Sequence, residues 1–162
     1  MKQKLKARKD LVKIVKDLKA KGKRIVFTNG CFDLLHIGHV RYLEEAKTRG
    51  DVLVVGVNSD SSVRKLKGPK RPILPEEERA EILSGLGCVD YVTLFDEIDP
   101  LKLIASLQPN ILLKGGDWTK EQIVGREEVE RSGGEVVIIP FVEKASTSNL
   151  IETILKRYEK SA

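Results

Sequence analysis

The segment from Thr28 to His39 reads Thr-Asn-Gly-Cys-Phe-Asp-Leu-Leu-His-Ile-Gly-His and carries two histidines three residues apart. If this turn is helical, His36 and His39 face the same way. The segment follows a predicted strand and opens a predicted helix, whose free N–H groups and positive dipole end suit a phosphate. Two imidazoles there can donate to phosphate oxygens as charge builds in a transition state. We therefore predict phosphate handling. A plain Asn-Gly turn and a metal site that uses Cys31 or Asp33 are the alternatives.

Two further clusters follow predicted strands. Residues 64–71 place five cations in eight positions, which predicts either a clamp on a polyphosphate or a solvated basic loop. Residues 114–118 read Lys-Gly-Gly-Asp-Trp. Their glycines let a ligand approach the backbone, Asp117 can accept from a hydroxyl, and Trp118 is the only tryptophan of the chain. The alternative for this second cluster is a glycine turn with a tryptophan packed on it.

A hydroxyl cluster, Ser146-Thr147-Ser148, precedes the last predicted helix. Such residues are ordinary N-caps, and they can also complete an anion site with the free N–H groups of the helix. Both interpretations stay open from the spacing alone.

Several catalytic classes lack their signatures in this sequence. There is no nucleophile beside a base in acyl-transfer order, no Gly-x-x-x-x-Gly-Lys-Ser/Thr of the P-loop, and no Gly-x-Gly-x-x-Gly after the first strand. Cations, histidines and helix ends suit the positioning of phosphates and the stabilisation of charge at a phosphorus atom.

The elements that must position these clusters follow from alternating apolar and helical patterns. The sequence predicts strands at 24–28, 51–57, 91–95, 111–114 and 135–140, helices at 38–49, 75–84, 100–107, 120–131 and 147–158, and a loop at 58–74. The alternation predicts an α/β, Rossmann-like domain: a parallel sheet of about five strands with helices on both faces. In such sheets ligands bind beyond the carboxyl ends of the strands, near the switch in strand order.

Composition bounds the protein class. A chain of 162 residues with two cysteines and no long apolar run predicts one soluble, cytoplasmic domain without a membrane span or disulfide framework. Residues 1–24 hold 11 of the 29 basic residues and only 2 of the 24 acidic ones. Four apolar residues there have helical spacing, so we predict a basic helical segment at 1–22 packed on a domain at 23–162. An arm for nucleic acid or a membrane surface is the alternative.

The His-Ile-Gly-His motif within residues 28–39 resembles the signature of the nucleotidylyltransferase superfamily, and residues 146–148 resemble its second motif. More narrowly, Asn-Gly-Cys-Phe-Asp at 29–33, Lys-Leu-Lys-Gly at 65–68 and Lys-Gly-Gly-Asp-Trp at 114–118 resemble the adenylyltransferase domain of the ADP-heptose synthesis enzymes. The resemblance covers residues 23–157.

The resemblance implies that D-glycero-β-D-manno-heptose 1-phosphate and ATP give ADP-heptose and pyrophosphate, for the lipopolysaccharide core. It implies a homodimer with no nucleic-acid or membrane partner. It also implies a stand-alone adenylyltransferase, supplied with substrate by a separate heptose 7-phosphate kinase. The expected cofactor is Mg²⁺, bound to ATP.

Site roles follow from the same resemblance. The catalytic residues would be His36, His39 and Lys67, which bind the triphosphate and stabilise the transition state, and Asp33 would be the carboxylate nearest to Mg²⁺. The remaining residues expected to contact nucleotide or substrate are Thr28, Asn29, Gly30, Cys31, Phe32, Asp33, Gly38, Lys70, Arg79, Lys114, Gly116, Asp117, Trp118, Ser146, Thr147 and Ser148.

A rival inside the same class is a cytidylyltransferase for glycerol 3-phosphate or another small phosphorylated alcohol. Those enzymes carry a Gly-Ile-Ser-Thr-Thr form of the late motif, often after an arginine. Here residues 143–148 read Glu-Lys-Ala-Ser-Thr-Ser, which departs from that form.

Overall fold

A computed structural model describes residues 3–116, 118–140 and 146–158. Its core is a single sheet of five parallel strands in the order β3-β2-β1-β4-β5. The strands are β1 (Ile25–Gly30), β2 (Val52–Asn58), β3 (Tyr91–Phe95), β4 (Ile111–Gly115) and β5 (Glu135–Ile139). Four of the five predicted strands lie within one or two residues of these bounds and the third matches them, so the predicted fold class is confirmed.

Seven helices occur in the described residues and join or flank the strands. They are α1 (Arg8–Ala20), α2 (Ile37–Thr48), α3 (Asp60–Lys67), α4 (Glu76–Gly85), α5 (Leu101–Leu107), α6 (Arg126–Arg131) and α7 (Thr147–Tyr158). Side chains alternate between the two faces of each strand. One face buries its apolar side chains under α1, α5 and α6, and the opposite face under α2 and α4.

The strand order reverses between β1 and β4. From β1 the chain steps outward through β2 to β3, and then returns to the other side of β1 to form β4 and β5. Two neighbouring strands whose connections leave in opposite directions open a crevice at their carboxyl ends. This switch point lies directly beside the segments at 28–39 and 114–118.

The prediction of a loop at 58–74 is wrong for residues 60–67, which are helical. They form α3, because Ser59 caps the helix by accepting a hydrogen bond from the Ser62 N–H at 3.3 Å. Asp60 lies in the first turn, and basic side chains fill the last turn. Both placements suit the helix dipole. The cap and the charges offset a composition that favours a loop.

The helix predicted at 120–131 is broken in two. A 3-10 turn spans Lys120–Gln122, and α6 begins at Arg126. Gly125 separates them with φ of +88°, and a Cβ at this position would lie 2.5 Å from Ile104. Only glycine fits this conformation and this close approach, so the helical pattern does not run through.

The N-terminal segment lies against the edge of the sheet. Leu5 forms a parallel bridge with Val92 of β3, and backbone hydrogen bonds join Lys4 and Lys6 to the same residue. α1 then buries Leu11 and Val15 on the sheet face. No helix among the described residues is long and apolar enough to cross a membrane.

Candidate functional site

A cleft of about 740 Å³ opens at the carboxyl ends of β1 and β4. Its walls come from the loop after β1, the start of α2, the end of α3, the segment after β4 and the start of α7. The structure brings together all four sequence clusters at this edge. The predicted site residues that line it are Asn29, Gly30, Cys31, Phe32, Asp33, His36, Gly38, His39, Lys67, Lys114, Trp118, Ser146, Thr147 and Ser148.

The two histidines form a stacked pair at the start of α2. Their ring centroids lie 3.8 Å apart, with 21° between the planes. His36 is the N-cap residue in an extended conformation, and His39 N–H donates to its carbonyl at 2.9 Å. The Nδ1 atoms of both rings are buried and find no hydrogen-bond partner in the described part of the chain. Unpaired buried nitrogens beside a helix N-terminus are suited to a ligand with acceptor oxygens.

Burial disfavours the charged form of both imidazoles in the free protein. Burial lowers the pKa of His36. Burial, together with the neighbouring His36, lowers the pKa of His39 to about 4. Two charged rings at this separation would repel each other. An entering anion reverses that balance, because it favours the protonated form.

Asp33 joins the first loop to the segment before α4. Its carboxylate is fully buried and pairs with the Arg71 guanidinium. It also accepts from the backbone N–H groups of Ile73 at 2.7 Å and Leu74 at 3.0 Å. Burial alone would raise the pKa of Asp33, but the hydrogen bonds from Leu74, Ile73 and Arg71 hold it below its ordinary value.

Arg79 is fully buried and is held by three protein acceptors. It donates to the Leu74 carbonyl at 3.0 Å, to the Cys31 carbonyl at 2.6 Å and to Asp60 Oδ1 at 2.7 Å. The guanidinium thus ties the first loop to α3 and α4, and Arg79 does not line the cleft. Its predicted role in phosphate contact has no geometric support among the described residues.

The cations of residues 64–71 divide into two groups. Lys67, in the last turn of α3, is exposed and lines the cleft, as does Arg71. Lys70 is exposed and lies outside the cleft lining.

Arg41 on α2 also lines the cleft. Sequence reasoning missed Arg41, although its position two residues after His39 at the start of α2 was a signal.

β4 contributes the other wall. Lys114 Nζ donates to Asn29 Oδ1 on β1. A Cβ on Gly115 would lie 3.0 Å from the Tyr42 ring, so any larger residue here would have to displace that ring. Tyr42 Oη lies 2.7 Å from Thr28 Oγ1 and donates to the Leu113 carbonyl at 3.1 Å. Tyr42, which sequence reasoning missed, thereby fixes α2 across β1 and β4.

The remaining predicted residues have varied placements. Phe32 adopts a left-handed φ of +45°, and its ring packs 5.3 Å from that of His39. Gly116 is buried and donates its N–H to the Ile139 carbonyl at 2.9 Å. Trp118 stands exposed at the rim, and Asp117 lies outside the described residues.

The start of α7 closes the cleft over the first loop. Ser146 Oγ accepts from the Asn149 N–H at 3.1 Å, so this serine is an N-cap. Thr147 Oγ1 donates to the Leu34 carbonyl at 3.4 Å. The exposed Ser148 lines the cleft beside them.

Comparisons with known proteins agree with this geometry. The bifunctional protein HldE of Pelobacter propionicus is 59% identical over 155 residues, which are 96% of this chain and 32% of that protein. This chain therefore spans about a third of the length of the curated relatives that it matches.

Solved structures give the same fold. The lipopolysaccharide core biosynthesis protein from Thermoplasma volcanium is 33% identical, with a TM-score of 0.63, over 76% of this chain and all of that one. A pantoate-β-alanine ligase from Francisella tularensis shares the fold alone, at 17% identity and a TM-score of 0.59 over 98% of this chain and 81% of that one.

The family comparison covers most of the domain. The cytidylyltransferase-like family model matches residues 27–158, a range that runs from β1 through the histidine pair and β4 to the end of α7. The superfamily resemblance predicted from the His-Ile-Gly-His motif is thus confirmed, and the chain belongs to the cytidylyltransferase-like family.

Proposed function

We propose that this protein transfers AMP from ATP to D-glycero-β-D-manno-heptose 1-phosphate and releases pyrophosphate. The observation that carries the nucleotidyl-transfer step is the stacked histidine pair. Its unpaired ring nitrogens lie at a helix N-terminus, in a cleft that Lys67 and Arg71 also line. These groups neutralise and align phosphates without offering a covalent nucleophile.

The choice of acceptor and base rests on the narrower resemblance. The Lys-Gly-Gly-Asp-Trp and Asn-Gly-Cys-Phe-Asp segments resemble the ADP-heptose synthesis enzymes, and curated relatives 58–59% identical to this chain carry the name bifunctional protein HldE. The related Thermoplasma volcanium structure is described as a lipopolysaccharide core biosynthesis protein. That description agrees with the pathway which the resemblance implies.

The proposed reaction is an in-line displacement. An oxygen of the sugar phosphate attacks the α-phosphorus of ATP, the bond from that phosphorus to the α,β-bridging oxygen breaks, and pyrophosphate leaves with the bonding electrons. The attacking phosphate is already an anion, so no general base is needed. His36, His39 and Lys67 stabilise the charge that builds on the phosphoryl oxygens.

Mg²⁺ fits this site as an ion carried by the nucleotide. The described residues include no group of three or more His, Cys, Asp or Glu side chains that could hold a metal. Mg²⁺ commonly keeps several waters and takes few protein ligands beside phosphates. When bound, it neutralises charge on the triphosphate. Because the Asp33 oxygens already accept from Arg71, Ile73 and Leu74, we propose that any Asp33 contact with Mg²⁺ passes through water.

Three further predictions accompany this function. We propose a homodimer, a heptose kinase activity that supplies the acceptor, and a reducing cytoplasmic location, which suits two free cysteines. Light scattering of the purified protein gives the oligomeric state directly.

The experiment is pyrophosphate release by the purified protein with Mg²⁺. ATP and CTP are each offered with β-heptose 1-phosphate and with glycerol 3-phosphate. We expect turnover with ATP and the heptose phosphate, at least a hundredfold faster than with any other pair. Preference for CTP and glycerol 3-phosphate would overturn the proposal and favour the cytidylyltransferase alternative.

A further inference from the structure

Lys114 is a largely buried cation of the cleft. It lies near the end of β4, directly beside β1, at the switch in strand order. Its ammonium donates to the amide oxygen of Asn29, and it makes no ion pair with any described residue. Arg71, in contrast, is paired with Asp33.

A largely buried ammonium without a carboxylate is unfavourable in the free protein. Removal from water disfavours the charged form, and an amide oxygen supplies only part of the lost solvation. Burial accordingly lowers the pKa of Lys114 to about 8. An anion that enters the cleft would restore the missing partner, so the surroundings of Lys114 suit an anionic ligand.

The histidine pair and Lys114 belong to opposite faces of the sheet. Along β1 and β4, Asn29 and Lys114 share the face of Phe27 and Leu112, which packs with α1, α5 and α6. His39 lies on α2, which packs on the other face. The two sets of groups therefore approach the crevice from different sides.

In-line transfer requires the attacking and leaving oxygens to lie on opposite sides of the α-phosphorus. In the proposed function, the histidine pair and Lys67 hold the triphosphate and its leaving pyrophosphate. The acceptor phosphate must then lie across the crevice. On the basis of that function, we propose that Lys114, held by Asn29, binds the phosphate of the acceptor and selects phosphorylated acceptors.

Other charged and titratable groups face the same crevice from several elements. The titratable residues of the loop after β1 and of α2 are Cys31, Asp33, His36, His39, Arg41 and Tyr42. α3 and the segment after it contribute Lys67 and Arg71, and the segment before α5 contributes Asp99. β5 places the apolar Ile138 in register with Lys114. None of these groups is a cause of the lowered Lys114 pKa, which comes from desolvation by burial.

The sign of the pH effect follows. The Lys114 side chain is fully charged well below pH 8, and its charge is lost as the pH rises through about 8. Acceptor binding favours the charged form, so the KM for the acceptor should rise above that pH. The KM for ATP should not show the same rise above pH 8.

The test compares wild type, Lys114→Met and Lys114→Arg, with Lys16→Met on the exposed side of α1 as a matched control. Initial rates are measured with ATP and β-heptose 1-phosphate between pH 6.5 and 9.5. Lys114→Met should raise the KM for the acceptor about 10- to 100-fold, the loss expected for a hydrogen bond to a charged group. Its KM for ATP should change less than about twofold, and its profile above pH 8 should be flat. Lys114→Arg should recover most of the acceptor affinity and keep it above pH 8.

A tenfold rise in the KM for ATP with an unchanged acceptor KM would overturn the inference and make Lys114 a triphosphate ligand. Equal loss in both substrates, with a lower melting temperature, would reduce Lys114 to a structural residue and overturn it as well.

Failure of the proposed function has a different signature, namely no turnover by wild type with this acceptor. In that case inorganic phosphate is titrated calorimetrically into the protein loaded with α,β-methylene ATP. Binding by wild type and Lys16→Met that weakens at least tenfold in Lys114→Met supports the acceptor-phosphate site. Equal binding by all three proteins overturns it.

Discussion

The histidine pair itself carries little charge in the free protein. Stacked rings 3.8 Å apart could not both be protonated without mutual repulsion, and burial removes the water that would screen them. Each neutral ring carries one N–H, and the His39 ring also has a hydrogen bond at the Leu34 backbone that favours its charged form. Phosphate entry supplies the negative charge that the free site lacks, so the pair is suited to charge that appears only with the ligand.

We expect His39→Gln to lower kcat about 10²- to 10³-fold, the loss typical of one removed transition-state donor. The KM for ATP should change much less, because the loop cations remain. Steady-state kinetics at pH 7.5 measures both. Burial lowers the pKa of His39 to about 4 in the free protein, so the ring is neutral at this pH before the nucleotide binds.

The melting temperature of the variant is the control for folding. A kcat within threefold of wild type, in a folded variant, would show that His39 does not stabilise the transition state.

At this scale the sequence predicted which residues meet, but not all of their partners. The motif placed His36 and His39 together because their spacing is local. The contacts of Asp33 with Arg71 and of Arg79 with Cys31 join residues 38 and 48 positions apart. Spacing carries no information about such contacts. Asp33 and Arg79 were both expected to contact a ligand, and in the structure their side chains bind other groups of the protein.

Among the elements, α3 determines where the Lys67 side chain lies. Asn58 Nδ2 donates to Ser62 Oγ at 2.9 Å, and that hydroxyl donates to the Glu97 carbonyl at 2.9 Å. The helix is thus tied to the strand before it and to the segment after β3. Lys67 then occupies the last turn, facing the cleft.

We expect Ser59→Ala to lower the free energy of unfolding by about 1 kcal/mol, the usual cost of a lost N-cap. A frayed α3 positions Lys67 less well, so the KM for ATP should rise two- to fivefold. Urea denaturation and steady-state kinetics measure the two effects.

Ser106→Ala, an exposed serine within α5, is the matched control and should change neither quantity. If Ser59→Ala also left both unchanged, the cap would not be what holds the helix in place.

The sequence hid α3 for a physical reason. It has only eight residues, six of them polar or charged, it is followed by Gly68 and Pro69, and only Ser62 and Val63 are buried. A helix this short carries just two apolar residues, so its periodic signal is brief, and a capping serine is its other local signal. The strands, in contrast, were predicted well because each is a buried run of β-branched and apolar residues.

For the whole molecule, the basic N-terminal segment is part of the packed structure. Arg8 donates both terminal nitrogens to the Glu97 carboxylate, at 2.8 and 2.6 Å, just after the bridge from Leu5 to β3. This covers an edge strand that would otherwise expose unpaired backbone groups. The positive charge counted in the sequence is therefore carried by a segment whose apolar side is buried.

The Arg8–Glu97 pair should make part of the stability dependent on pH. The hydrogen bond from Arg8 lowers the pKa of Glu97 to about 2. A lowered carboxyl pKa stabilises the fold above the ordinary value near 4.5, and this contribution is lost as the pH falls toward 2. Because both side chains are partly exposed, we expect Arg8→Met to cost about 0.5–1 kcal/mol at pH 7.

Urea denaturation at pH 7 and at pH 2.5 checks this, with Arg49→Met as the control, because Arg49 follows α2 directly and forms an exposed pair with Glu45. The Arg8→Met difference should shrink at the lower pH. A difference that is the same at both pH values would mean that apolar packing of the Arg8 stem, and not the ion pair, stabilises this segment.

The exposed indole of Trp118 gives the molecule an optical property. It is the only tryptophan of the chain, and it stands 52% exposed on the rim of the cleft. The ultraviolet emission of this protein, excited at wavelengths that tyrosine does not absorb, therefore comes from one point beside the site. Because the ring is about half exposed in the free protein, we expect a ligand that covers it to move the emission to shorter wavelength. Occupancy of the cleft can thus be followed without a label and without turnover.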